Sequence, residues 1–171
     1  MHDEIAFLKT SEPNPLKLDE PRVMRCLVHR RNDVRQAAVD LLCKMGGKRY
    51  AEIVIRQLAT HPSWKEQTYG VAKKLMPFID SRQGNVLIEC FDSLGFRDET
   101  AYHILCHRCD SQPLIDFLKG IIEADTSARR THLATKALSC VPGVKTAFWR
   151  ECLKHRHEKV RQCARTYLAQ E

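Results

Sequence analysis

The strongest constraint on what this chain can fold into is that it repeats itself. Cys26-Leu27-Val28-His29-Arg30-Arg31-Asn32-Asp33-Val34-Arg35-Gln36-Ala37-Ala38 aligns without gaps on Cys152-Leu153-Lys154-His155-Arg156-His157-Glu158-Lys159-Val160-Arg161-Gln162-Cys163-Ala164, with eight of thirteen residues identical. Repetition on the scale of tens of residues signals stacked supersecondary units, each too small to bury its own apolar face. The second half of the unit is an amphipathic helix, with Val34, Ala37, Ala38, Leu41, Leu42 and Met45 at i, i+3, i+4, i+7, i+8 and i+11. The same stripe returns in Thr68, Val71, Ala72, Leu75 and Met76, then in Ala101, Ile104 and Leu105. It returns again in Leu133, Ala134, Ala137 and Leu138, and in Val160, Cys163, Ala164, Tyr167 and Leu168. Successive spacings are 34, 33, 29 and 30 residues.

Shorter apolar helices are predicted between these, over roughly 21–29, 48–60, 83–94, 112–122 and 145–155. Pro21 and Pro113 suit a first helical turn, which needs no amide donor, while Gly46-Gly47 and Gly95 suit left-handed stops. Ser63 and Asp98 are candidate amino-terminal caps, and Pro77 and Pro142 mark ends. With 7 Gly and 7 Pro in 171 residues, little material remains for long loops or a sandwich's many turns. The expected fold is all-α: a right-handed α-solenoid of about five helical hairpins, over 21–46, 48–77, 83–109, 112–141 and 143–171. Residues 1–20 precede this repeat domain as a short helix at 3–10 and a linker through Pro13-Asn14-Pro15. Ala38, Ala72, Ala134 and Ala164 fit where second helices approach closely.

These units resemble HEAT repeats, particularly the short HEAT-like (PBS-lyase-type) kind. In that kind the second helix opens with a polar or acidic residue, then Val-Arg, then Ala, then Leu. Asp33-Val34-Arg35 with Ala38 and Leu42 fits the pattern, as does Val160-Arg161 with Ala164 and Leu168. The three middle repeats keep the apolar stripe without Val-Arg. The resemblance implies a binding scaffold whose second helices line a concave side.

The chemistry-bearing residues point away from catalysis. Cys106-His107-Arg108-Cys109, with His103 before it, sits within one predicted helix, whereas tetrahedral zinc needs ligands converging from two pieces of structure. Eight cysteines occupy helical packing positions: Cys163 stands where repeat one has Ala37, and Cys26 matches Cys152. Reduced structural thiols are expected, with no metal and no cofactor. His157-Glu158 resembles the iron-holding pairs of deoxyhypusine hydroxylase, a HEAT-like enzyme, but occurs once. Trp64 and Trp149 are expected to wedge between hairpins rather than line a glycosylase-like groove.

A surface remains. Residues following the first stripe position project as a lane holding Arg35, Tyr69, Lys73, Tyr102, His103, His132, Arg161 and Arg165, and Tyr and Arg are favoured at binding hot spots. A second set, Arg30, Arg31, Arg129, Arg130 and Arg156, sits at inter-helix corners, where helix amino termini favour anions and phosphate contacts. The net charge is +7, with eight Lys/Arg against two Asp/Glu in 21–50 and seven against three in 141–171. Residues 81–110 reverse the balance, with three against five, which interrupts the continuous positive stripe that a nucleic acid would track. The expectation is therefore a non-catalytic adaptor or scaffold. It binds the acidic or extended segment of a protein partner along the lane, with nucleic-acid binding through the corners as the alternative and a glycosylase-like enzyme a distant third. No membrane and no small-molecule substrate is expected. The acidic start, Met1-His2-Asp3-Glu4-Ile5, and the lack of a long apolar run predict a cytoplasmic protein.

Overall fold

A computed structural model describes residues 3–11 and 19–170; among them lie eleven α-helices and no β-strand. The helices are α1 (Asp3–Thr10), α2 (Glu20–Cys26), α3 (Asn32–Thr60), α4 (Thr68–Leu75), α5 (Gly84–Glu89) and α6 (Phe91–Arg97). They continue with α7 (Glu99–Cys106), α8 (Gln112–Ala124), α9 (Ala128–Cys140), α10 (Thr146–Cys152) and α11 (Glu158–Leu168). The Pro13-Asn14-Pro15 linker lies outside the described residues.

Local chemistry explains most boundaries. Pro21 and Pro113 stand in the first turns of α2 and α8, where a missing N–H costs nothing. The Asp19 carboxylate accepts from the Arg22 amide at 3.0 Å, and the Asp98 carboxylate accepts from the Ala101 amide at 2.9 Å. Gly46, at φ +126°, breaks α3 into two helical segments, 32–45 and 47–60. A left-handed residue followed at once by helix joins the first two hairpins with no loop between them.

Two expected signals are corrected. Ser63 caps no α-helix: Pro62–Trp64 forms a 3₁₀ turn, and α4 begins only at Thr68. The turn wins because Trp64 is drawn fully into the core. Gly95 is not a stop either. It lies inside α6, and the first helix of the third hairpin divides instead at Cys90, whose φ of −91° and ψ of 2° are not helical.

What Gly95 provides is a close approach. A Cβ there would sit 2.6 Å from Leu133 Cδ2, and Leu133 on α9 is itself buried. Gly95→Ala is therefore expected to destabilise the protein by about 1 kcal/mol. Overpacking of roughly 1–3 kcal/mol is partly offset by about 1 kcal/mol of helix propensity. Urea unfolding with an unchanged m-value would measure it; a stabilised variant would show that Leu133 moves aside freely.

Packing joins each hairpin to the next. The first segment of α3, then α4, α7, α9 and α11 form a row in which each second helix packs on its neighbour, while α5 packs on α8 and α6 on α9. Val34, Ala38, Leu42, Val71, Ala72, Leu75, Ala101, Leu105, Leu133, Ala134, Ala137, Leu138, Val160 and Ala164 are all buried, so the sequence stripe is the core. Both tryptophans are fully enclosed, and Trp149 stacks on Tyr167 at 4.8 Å. α1 packs against α3 through buried Leu8, and Glu4 accepts from Arg22 at 3.0 Å.

Polar links stitch successive hairpins. Lys74 reaches Asp40 at 2.6 Å, Lys136 reaches Glu99 at 2.6 Å, Arg130 reaches Asp92 at 3.0 Å, and Arg56 pairs with Glu89. Solvent-facing pairs of this kind contribute about 0–1 kcal/mol each. Arg97 instead donates to the Leu58 and His61 carbonyls at 2.8 and 3.2 Å, closing the carboxyl end of α3. Asp125, the left-handed residue after α8 (φ +44°), gathers Arg156 and the His157 Nε2 at 2.8 Å onto one carboxylate. Among the described residues no helix is long and apolar enough to cross a membrane.

Candidate functional site

The structure divides the predicted lane into an inside and an outside. Arg35 is 3% exposed and Tyr102 is fully buried, so neither meets a partner at the surface. The Arg35 guanidinium donates to the His29 and Arg30 carbonyls at 2.7 and 3.0 Å, and forward to the Ser63 carbonyl and Gln67 Oε1 at 2.8 and 2.9 Å. The Tyr102 hydroxyl donates to the Leu87 carbonyl at 2.9 Å, and its ring meets Phe91 edge-on. A second helix with a neighbour on either side buries a wider arc than a lone amphipathic helix, and on α3, α7 and α9 that arc takes in Arg35, Tyr102 and Thr131, the residues after the first stripe position.

The residues one step further round reach solvent. Gly70, Thr100, Gln162, Lys74, His107 and Thr166 are exposed, and Gln36, His103, His132 and Lys136 are half-buried. On α4, however, the predicted pair is outside: Tyr69 is 42% exposed, and the Lys73 ammonium lies 4.8 Å over its ring. Arg165 is also exposed and donates to Glu158 at 2.9 Å. Arg161 donates to the His155 and Arg156 carbonyls at 2.5 and 2.8 Å and pairs with Glu158, repeating Arg35's grip on its own corner without the forward reach.

The corner arginines are engaged within the protein. Arg31 pairs with Asp33 at 2.6 Å, Arg130 with Asp92, and Arg156 with Asp125. Arg129 lies over the Phe96 ring at 4.6 Å, and Arg30 is exposed.

Where α7, α9 and α11 meet the surface, the sequence had marked His103 and His132; the structure adds Glu99, Lys136 and Lys159. Burial lowers the His103 pKa to about 4 and outweighs the opposing pull of Glu99. Burial likewise lowers His132, helped by Lys136 and Lys159. The His103 Nε2 and His132 Nδ1 are enclosed and have no hydrogen-bond partner. Lys136 and Lys159 carried no sequence signal, because a lysine on a solvated face resembles any other.

The thiols lie in packing positions: Cys26, Cys90, Cys106, Cys109 and Cys152 are buried, and Cys43, Cys140 and Cys163 half-buried. Burial raises every one of their pKa values, to about 11 for Cys26, Cys43, Cys109 and Cys152, so the nucleophilic thiolate is scarce at neutral pH. Cys106 is wholly enclosed while His107 beside it is exposed, and no group of three potential metal ligands forms among the described residues. The chain matches no protein-family model, no curated protein and no solved structure.

Proposed function

We propose that the five hairpins stack as a right-handed α-solenoid of the HEAT-like kind, and that the chain is a non-catalytic adaptor holding an acidic, extended segment of a protein partner along its second helices. The observation that carries this reading is Tyr69. A large aromatic ring stands exposed on α4 beside Gly70, backed by the Lys73 ammonium. Aromatic area at low entropic cost, next to a cation, is the composition of a hot spot for an acidic peptide. The row of second helices extends from it through His103, Lys136 and Lys159 on α7, α9 and α11. The nucleic-acid alternative draws less support, because Arg31, Arg130 and Arg156 are already neutralised by carboxylates.

Fluorescence anisotropy with a labelled Asp/Glu-rich peptide carrying one aromatic residue tests the proposal. Tyr69→Ala is expected to weaken binding by about 2 kcal/mol, roughly thirtyfold, with modest salt dependence. If the peptide is ignored while a generic duplex binds with affinity falling linearly in log salt, and Arg30→Ala or Arg156→Ala flattens that slope, the adaptor reading fails.

A further inference from the structure

Between α9 and α11 the surface opens into a pocket of about 350 Å³, lined on one side by His132, Lys136 and Ser139 and on the other by Lys159, Gln162 and Thr166. Cys163, Tyr167 and Gln170 complete the lining. The volume is many times the roughly 30 Å³ share of one water and falls at the low end of small-molecule sites, about 300–1,000 Å³.

The charge lining is one-sided. Two lysines and an imidazole line the pocket, and no carboxylate lines it among the described residues. Lys136 is paired with Glu99 at 2.6 Å, whereas Lys159 has no ion-pair partner among the described residues. Glu158, next to Lys159 in the chain, is taken by Arg161 and Arg165. The Ser139 and Thr166 hydroxyls donate to the Lys136 and Gln162 carbonyls of their own helices, which leaves their oxygens' remaining lone pairs and the Gln162 amide as polar lining. Tyr167 is fixed at two points: it stacks on buried Trp149 and donates its hydroxyl proton to the Val144 carbonyl at 3.2 Å.

We propose that this pocket binds a small phosphate monoester, its phosphate between Lys159 and Lys136 and its organic part against Tyr167. Ammonium groups act as point charges that suit a compact polyanion, and no arginine fork is present to select a planar carboxylate. The pocket shares His132, Lys136 and Lys159 with the far end of the peptide lane but not Tyr69, so Tyr69→Ala tests the peptide reading alone and ester binding tests the pocket. Protonation couples to it. Glu99 and His103 of α7, Lys136 of α9, and Lys159 and Cys163 of α11 surround His132, whose pKa burial and the two lysines lower; a bound anion favours the charged imidazole, so binding is coupled to proton uptake by His132.

Amide chemical-shift titrations of the full chain with phenyl phosphate, glycerol 2-phosphate, inorganic phosphate and uncharged glycerol provide the test. Both esters are expected to shift α9 and α11 amides with a Kd below about 1 mM, inorganic phosphate more weakly, and glycerol not at all. Lys159→Gln should weaken ester binding tenfold or more, and Lys159→Arg should retain most of it. Lys159 is exposed, so neither change threatens folding. Shifts spread over the basic corners and insensitive to Lys159→Gln would overturn the proposal. So would silence toward both esters, or an Asp/Glu-rich peptide engaging these amides where the esters do not.

Discussion

Arg35→Met should destabilise the protein by about 3–5 kcal/mol, enough to unfold a marginal domain. The guanidinium is 3% exposed and bridges two hairpins through four acceptors, three of them backbone carbonyls. Removing it leaves the part-buried His29, Arg30 and Ser63 carbonyls without their donor, each costing up to about 1–3 kcal/mol where nothing replaces it. Gln67 is only half-buried and recovers by turning to water. Arg35→Lys should recover little, because one ammonium cannot span carbonyls on both sides of the junction. The internal control is Arg161, the same residue one end of the repeat array later. It grips its own corner alike, but its remaining partner is the exposed Glu158, so Arg161→Met should cost only about 1 kcal/mol. Equal losses for the two variants in urea unfolding would contradict the assignment of Arg35 to the junction.

The second large effect is acid destabilisation above the range where carboxylates titrate. In the folded protein His103 takes a proton only near pH 4, whereas an unfolded chain takes it near 6.5. Between those values the unfolded state binds more protons, so stability is fully present above about pH 6.5 and is lost as pH falls toward 4. The loss is on the order of 2 kcal/mol, reduced from the full shift because the imidazole is partly accessible. His132 adds to it with the same sign. Denaturant midpoints from pH 7 to 5 should fall for the native sequence and flatten in His103→Gln. An unchanged slope in that variant would place the titrating group elsewhere.

Much of the architecture was legible because one signal was repeated. The stripe from Val34 to Met45 recurs at near-constant spacing, and most of those positions are buried, with Ala37, Met76, Ile104, Cys163, Tyr167 and Leu168 half-buried at its margin. Pro21, Pro113, Asp98 and Gly46 worked as boundary marks because each acts through its own backbone or a neighbour within three residues. Ser63 and Gly95 misled because their roles are set at a distance, by Trp64 seeking the core and by Leu133 arriving from another hairpin.

The surface was legible only in part, for a geometric reason. Sequence periodicity places a residue on a helix but not between helices. Arg35 and Tyr102 share a register with Tyr69, yet two are inside and one is out. The corner arginines read as free cations because Asp92 and Asp125, which neutralise two of them, lie about thirty residues or more away in the chain. The pocket between α9 and α11 left no trace in the sequence, since Lys136 and Lys159 face each other only after two hairpins have docked.

The reach of the cross-links carries a mechanical consequence. Side-chain bonds between hairpins span about one repeat length: 28 residues from Arg35 to Ser63, 31 from Arg156 to Asp125 and 39 from Arg97 to Leu58. None of these ties a distant part of the chain to another, so a load applied at the two ends meets the junctions in series. The chain would yield one hairpin at a time, each release paying out about thirty residues, or roughly 100 Å of extended backbone, while the remaining junctions hold.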